Sequence, residues 1–309
     1  MLFNRIVWNP LEGIDLGFFT LHFYSLMFVV AFSLGFYLMK KIYVREGMSM
    51  EQLDSVFIHS VVATLIGARL GHVIFYDWGY FKNHLLEIFL PFRFDPSFEF
   101  TGFRGLASHG AAIAFITAMY MYGKKVEKPT LWVLDRVTIP AAFGGIFVRI
   151  GNFINSEIIG QPSGDFPTGV KFVREGISQY EVVKKTGIKN INDAYNALVE
   201  KPEFAEILNS IPYRHPAQLY EAFGYIFVSF ALLFVYWKTD KRKDLGFLFG
   251  MYMFGIFLVR FLVEYVKKSQ GGFESSLGDA LSTGQWLSIP FMLVGIFFMA
   301  TASKRKNGI

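Results

Sequence analysis

Long apolar stretches alternate with short polar loops along most of this chain. Each stretch is roughly 20 residues long, the length that an α-helix needs to cross about 30 Å of hydrocarbon. The pattern therefore predicts an all-α membrane protein with about seven transmembrane helices. The predicted spans cover residues 17–39, 53–75, 105–123, 130–150, 215–237, 244–266 and 284–303.

Composition supports a membrane protein. The chain has 309 residues, of which 53% are hydrophobic and 36 are Phe, and its mean hydropathy is +0.37. These values lie outside the usual range of soluble domains. Because no stretch is rich enough in Gly or Ser to be a linker, we predict a single membrane domain over residues 1–309.

One segment, residues 161–214, interrupts the pattern between the fourth and fifth spans. It holds many of the acidic residues and a helix-like stretch near Ile191 to Leu208. It also contains residues that interrupt helices, among them Gly164, Pro167, Pro202 and Pro212. We predict that it forms an extracytoplasmic head inserted into the membrane domain.

The basic residues are distributed in a way that predicts orientation. The net charge is +5, but most Lys and Arg residues lie in short loops between spans, so we predict no nucleic-acid partner. Loops on one side carry Lys40, Lys41, Arg45, Lys124, Lys125, Lys128, Lys238, Lys241, Arg242, Lys243, Lys304, Arg305 and Lys306; those on the other carry Arg5, Lys82, Arg93, Arg104, Lys267 and Lys268. The positive-inside rule then places the N-terminus outside and the C-terminus inside.

With that orientation, the costly polar residues within the spans fall in the outer half of the bilayer. Buried charges in a membrane usually mark a functional site, and their common depth favours a shared cavity that opens outward. The set comprises Tyr24, Arg69, His72, His109, Arg149, Gln218, Tyr220, Glu221, Arg260 and Glu264. Asp54, His59, Asp135 and Arg136 lie toward the inner ends and are interpreted as interfacial anchors or local pairs.

Arg149 ends the fourth span and is followed closely by Asn152, Asn155 and Glu157. A guanidinium is a planar fork of donors that suits phosphate. A lipid headgroup is therefore the first candidate ligand.

Several members of the outer set have structural alternatives. Arg260 and Glu264, at i and i+4, could neutralise each other. Arg69 could extend outward as an interface anchor, and His109 could be an ordinary packing residue.

Other classes of function fit the sequence less well. Cysteine is absent, so any thiol chemistry must use a substrate thiol. There is no Gly-x-Ser-x-Gly motif of a lipase and no His and carboxylate spacing for a metal, and we predict no metal and no cofactor. An outward-facing transporter or another headgroup-binding membrane protein remains the alternative, although a transporter predicts polar residues in both leaflets and internal repeats.

Several blocks, in order, resemble the bacterial prolipoprotein diacylglyceryl transferase family. They include Gly67-Ala68-Arg69-Leu70-Gly71, Ser108-His109-Gly110, Arg149 to Glu157 with Gly160, Arg214 to Glu221, Arg260 to Glu264, and Gly284 to Pro290. Together they cover nearly the whole membrane part of the chain.

The resemblance implies a seven-span enzyme of the bacterial cytoplasmic (inner) membrane, with its active site toward the outer leaflet. Such an enzyme transfers diacylglyceryl from phosphatidylglycerol to the lipobox cysteine in the signal peptide of a prolipoprotein. By motif match, the implied catalytic residues are His109, Arg149 and Arg260. The implied headgroup-binding residues are Arg149, Asn152, Glu157, Gly160, Tyr24, Arg69 and Glu264.

Two departures from the family pattern affect these expectations. Ala111 follows His109-Gly110 where the family usually has a second Gly, and Ile256 stands where the family tends to have a Tyr, four residues before Arg260. The hydroxyl of that Tyr is either lacking in this chain or supplied by another residue, for which Tyr252 is a candidate. The role of His109 also stays open: it is either the base for the thiol or a headgroup ligand, with Glu157 or Glu264 orienting the arginines.

Overall fold

A computed structural model of the chain describes residues 5–17, 20–90, 92–94, 97–100, 105–268 and 280–305. The protein is mostly helical, and six helices in the described ranges are long and apolar enough to cross a membrane. Two of the loop cations counted above, Arg104 and Lys306, lie outside the described residues, as do residues 18–19 of the first predicted span.

The helices are α1 (Phe23–Glu46), α2 (Met50–Phe75), α3 (Trp78–Phe81), α4 (Ser108–Lys125), α5 (Thr130–Ile154), α6 (Val173–Gly176), α7 (Gln179–Thr186), α8 (Ile191–Glu200), α9 (Ala205–Ser210), α10 (Ala217–Lys238), α11 (Phe247–Val263) and α12 (Thr283–Thr301). The strands are β1 (Ile6–Trp8), β2 (Gly13–Asp15), β3 (Thr20–His22), β4 (Phe92–Arg93), β5 (Glu99–Phe100) and β6 (Val170–Phe172).

The strands correct the prediction of an all-α chain. They form three two-stranded sheets, β1 with β6, β2 with β3, and β4 with β5. The β2–β3 hairpin also moves the start of the first helix. Thr20–His22 pairs with Gly13–Asp15, so α1 begins at Phe23 rather than near residue 17. Strands this short carry no readable periodicity, which explains why the sequence pattern missed them.

The third predicted span corresponds to α4, and it differs from the other six. α4 has 18 residues and ends on Lys124 and Lys125, and it is not among the six helices that meet the length and hydropathy requirement. The fourth predicted span extends further than expected, because α5 continues to Ile154.

The chain divides into two compact units, one of Met1–Gly35 with Thr138–Ile309 and the other of Phe36–Val137. In the second unit, α2 packs on α4 through glycines that allow close backbone approach. A Cβ at Gly71 would lie only 2.7 Å from Gly110 Cα, and a Cβ at Gly67 would lie 2.7 Å from the Gly110 carbonyl oxygen. Small residues at helix contacts are typical of membrane proteins.

In the first unit, α11 packs on both α10 and α12, and α10 has its polar residues inside and its apolar residues outside. Gln218 and Glu221 are 0% and 1% exposed. The opposite face exposes Phe223, Phe227, Phe230 and Phe234. A helix that shows phenylalanines outward and hides a carboxylate is suited to hydrocarbon surroundings.

The segment between α5 and α10 has a small core of its own. Val173, Val182, Tyr195 and Leu198 are almost completely buried together, and β6 pairs in parallel with β1. The helix predicted near Ile191 to Leu208 is broken in two. It stops at Glu200, and Pro202 begins a 3₁₀ turn that leads into α9, because proline lacks the N–H that would continue the helix.

Candidate functional site

Arg149, near the end of α5, forms an ion pair with Glu221 in the first turns of α10. The side chains are 12% and 1% exposed, respectively. A buried carboxylate is stable only when it is paired or hydrogen-bonded. Arg149 therefore has an internal partner in the structure, and Glu221 is the residue that neutralises it.

The chain turns back sharply after α5. Ser156 and Ile158 both have φ of +56°, a left-handed conformation that β-branched residues rarely adopt. The turn directs the Glu157 backbone N–H to the Asn152 carbonyl at 2.9 Å. Such local strain is often found at functional sites.

The folded turn creates a chain of side-chain hydrogen bonds. Arg149 donates to Asn152 Oδ1 at 3.2 Å, and Asn152 Nδ2 donates to the Glu157 carboxylate at 3.3 Å. Asn155 Nδ2 donates to the same carboxylate at 3.2 Å. From α10, the Gln218 amide donates to the Glu157 carbonyl. The four polar residues that follow one another along the sequence thus share one network.

Tyr24 on α1 joins this network. It is hydrogen-bonded to Asn152 and lies within electrostatic range of Glu157 and Arg149. Gly151 makes the approach possible, because a Cβ there would lie 2.5 Å from the Tyr24 ring. The structure therefore brings together Tyr24, Arg149, Asn152 and Glu157.

Gly160 lies where three segments meet. Its N–H donates to the His215 carbonyl at 2.8 Å, and a Cβ would lie 2.5 Å from that carbonyl oxygen and 2.6 Å from the Val266 carbonyl. Gly160 also bridges to Lys267. Its glycine identity thus has a steric cause in the fold.

Glu264 does not pair with Arg260, contrary to the structural alternative considered from their spacing. α11 ends at Val263, and the Glu264 carboxylate instead accepts from Lys267 Nζ at 3.2 Å. Gly284 lies directly beneath it, since a Cβ there would be 2.6 Å from Glu264 Oε1. Glu264 is thus enclosed by the start of α12.

Arg260 stacks its guanidinium over Phe257 at 5.7 Å. Within the described ranges, no carboxylate lies within ion-pair distance of it. Its electrostatic neighbours include Tyr225 and Tyr252. Ile256, where the family tends to have a tyrosine, packs against the cluster that contains Tyr225.

Arg69 and His109 belong to the other compact unit. Arg69 is 9% exposed and donates from Nε to Ile88 O and from Nη2 to Glu87 O, both at 2.8 Å. It also stacks over Phe81 at 4.7 Å. These contacts tie the loop after α2 to the helix and give Arg69 a structural task.

His109 lies in the first turn of α4 and is exposed. Its ring makes an edge contact with Phe75 at 5.0 Å and a tilted contact with Tyr76 at 5.6 Å. The aromatic pair positions an accessible imidazole at the end of α2. The structure does not bring His109 into one unit with Arg149.

Asp135 and Arg136, interpreted from the sequence as interfacial anchors or local pairs, form a local pair at 4.0 Å. They are only 1% and 2% exposed. Arg136 pairs with Glu46 at 3.0 Å and stacks over Trp132 at 4.5 Å.

Two residues around Arg149 were not among the predicted site residues. Glu221 was grouped with the outer polar set without a partner, and Tyr225 was not singled out. The signal was present in their spacing, since Gln218, Glu221 and Tyr225 recur at three and four residues and share one face of α10. Among the described residues, no three His, Asp or Glu side chains are grouped as a metal site requires.

These features define a multi-pass membrane protein with a buried arginine site. The model of the prolipoprotein diacylglyceryl transferase family matches residues 12–301. The chain belongs to that family, which confirms the resemblance drawn from its motifs.

Relatives agree over nearly the full length. The phosphatidylglycerol–prolipoprotein diacylglyceryl transferase of Tolumonas auensis is 37% identical over 294 residues, covering 95% of this chain and 95% of the relative. The protein of the same name from Bacteroides fragilis is 33% identical over 309 residues, covering 99% and 98%. That of Chloroherpeton thalassium is 33% identical over 294 residues, covering 95% and 92%.

Proposed function

We propose that the protein transfers the diacylglyceryl group of phosphatidylglycerol to the lipobox cysteine of a prolipoprotein. The thiol sulfur attacks the glyceryl carbon that bears the phosphate, and the bond between that carbon and the phosphate oxygen breaks. A thioether forms, glycerol phosphate leaves, and the thiol proton passes to a base. The buried arginine network carries this proposal, together with the family to which the chain belongs.

The chemistry makes two demands on the protein. Negative charge grows on the departing phosphate, and fixed donors in water-poor surroundings stabilise such charge strongly. We assign this role to Arg149 and Arg260, with Asn152 as a neutral donor. The thiol must also be deprotonated before it is a good nucleophile, and we assign His109 as the base because an imidazole can accept a proton at neutral pH.

The remaining site residues are proposed to orient the headgroup and its ligands. Glu157 holds the amides of Asn152 and Asn155, Tyr24 contacts Asn152, and Gly160 permits the close approach of the segments beside them. For Glu264, the proposed task is to fix the junction between α11 and α12. Arg69 is proposed to contact the headgroup as well.

The proposed topology follows the charge distribution. α4 acts as a seventh span despite its basic end, the N-terminus and the 161–214 head lie outside, and the C-terminus lies inside. The protein then resides in the bacterial cytoplasmic membrane with its active site toward the outer leaflet, where lipobox signal peptides are presented.

The decisive experiment is transfer in a purified system. Wild-type protein in phosphatidylglycerol nanodiscs should attach a diacylglyceryl group to a lipobox peptide, seen as a mass increase, and should leave a Cys→Ser peptide unchanged. Arg149→Ala should abolish transfer, whereas Arg242→Ala, which changes a loop arginine bonded to the Thr239 carbonyl, should not. Near wild-type transfer by folded Arg149→Ala would sink the assignment of the phosphate site.

A further inference from the structure

Arg149 is held by a third side chain besides Glu221 and Asn152. The Tyr225 hydroxyl is hydrogen-bonded to the guanidinium. An arginine offers five N–H donors in a rigid plane, so three protein contacts define its orientation and still leave donors for a phosphate oxygen.

Tyr225 is rigidly placed. It is 4% exposed and lies in a cluster with Ile146 and Ala222, against which Ile256 and Val259 pack. On the α5 side, a Cβ at Gly145 would lie 3.3 Å from the Tyr225 ring. The ring is therefore enclosed by three helices, and its hydroxyl has little freedom to move away from Arg149.

The position of Tyr225 also relates the two arginines of the site. Glu221 and Arg260 both lie within electrostatic range of its hydroxyl. Glu221 is four residues earlier on the same face of α10, while Arg260 comes from α11. An uncharged oxygen next to a guanidinium accepts a hydrogen bond without cancelling its charge, whereas Glu221 does cancel charge.

We propose that Tyr225 is a positioning residue that orients the Arg149 guanidinium toward the departing phosphate and keeps it in register with Arg260. This inference rests on the proposed function. Glu221 compensates the charge of Arg149, and Tyr225 sets its angle. Because the phosphate gains charge only as the bond to carbon breaks, correct orientation matters most in the transition state.

The test is Tyr225→Phe, which keeps the ring and its packing and removes only the hydroxyl. The matched control is Tyr195→Phe, which removes a hydroxyl of similar burial: Tyr195 is 1% exposed and donates to the Ile177 carbonyl at 2.8 Å in the head. Each purified variant is assayed for kcat and for KM toward phosphatidylglycerol, normalised to folded protein, and its melting temperature is measured.

We expect Tyr225→Phe to lower kcat by about 10- to 100-fold, the scale on which a misplaced catalytic group costs rate, with KM nearly unchanged. Tyr195→Phe should keep wild-type kcat even if it melts earlier. Wild-type kcat in Tyr225→Phe, an equal loss in both variants, or a change confined to KM would each overturn the inference. Absence of transfer by the wild-type protein would instead reject the proposed function.

Discussion

Arg149 on α5 and Glu221 on α10 form an ion pair whose carboxylate is 1% exposed. The pair connects two predicted spans that are separated in sequence by the whole 161–214 head. A guanidinium so placed has its charge compensated, and Arg260 is left as the cation without a carboxylate neighbour among the described residues. The two arginines of the site are therefore electrostatically unequal.

Removing Glu221 alone should be more harmful to stability than removing both partners. Glu221→Leu leaves a buried guanidinium unpaired, which costs about 3–5 kcal/mol, whereas an apolar replacement of the whole pair is often neutral. We expect Glu221→Leu to unfold much more readily in detergent, and Arg149→Met with Glu221→Leu to recover stability without recovering transfer. Asp240→Asn, which breaks an exposed pair with Lys243, serves as the control and should leave the unfolding transition nearly unchanged, because exposed ion pairs contribute little to stability.

His109→Gln separates the two roles considered for this imidazole. Glutamine can hydrogen-bond a headgroup but cannot take a proton, so a base would lose about 10²- to 10⁴-fold in kcat. A headgroup ligand would instead show a raised KM with most of its kcat retained. His59→Gln is the matched control, since His59 bonds the Ser55 carbonyl within α2 at 2.7 Å and should transfer lipid normally.

Gly71→Val should separate α2 from α4. A Cβ at this position would lie 2.7 Å from Gly110 Cα, and overpacking of this kind costs about 1–3 kcal/mol. We expect a lower melting temperature and a lower yield of monodisperse protein. Gly79→Val, at a glycine with open space around it, should behave as wild type; equal losses in the two variants would contradict a close helix contact at Gly71.

The burial of Lys171 predicts that the stability of the head depends on pH. It is 4% exposed and donates to the Leu208 carbonyl at 2.8 Å, and burial lowers the pKa of its ammonium group. The folded head then binds fewer protons than the unfolded head between the lowered pKa and the ordinary value, so stability should rise with pH across that window.

Hydrogen exchange of the head measures this effect. As the pH rises toward the ordinary pKa of a lysine, about 10.4, the opening free energy of the wild-type head should increase, and in Lys171→Met the slope should be smaller. An unchanged slope in the variant would assign the pH dependence to other groups.

The parts of the site that could be predicted are local in sequence. Arg149 and Asn152 lie in the last turns of α5, and Glu157 lies in the turn that follows it. Their hydrogen bonds therefore form within a short segment of the chain. Glu221 and Tyr225 required the packing of α10 against α5, which periodicity alone does not provide. Spacing was also insufficient for Glu264, because α11 ends one residue earlier and redirects its carboxylate to Lys267.

The same distinction holds for the fold. Helix positions followed from apolar length, with ends displaced by a few residues, since lipid-facing helices need continuous apolar stretches. Strand β3 (Thr20–His22) was absorbed into the first predicted span because three residues at the edge of a long apolar stretch show no period of their own. Pro202 indicated a helix break, but the helical pattern on both sides of it led to the prediction of one continuous stretch.

The separation of Arg149 and Glu221 along the chain has a consequence for biogenesis. α5 leaves the ribosome well before α10, so during synthesis Arg149 lacks Glu221, the carboxylate with which it pairs in the folded protein. We expect the end of α5 to stay near the outer membrane surface until α10 inserts and Glu221 arrives. Assembly of the candidate site would then be a late event in membrane insertion. It would be complete only when α10 has inserted with its phenylalanine face toward the lipid.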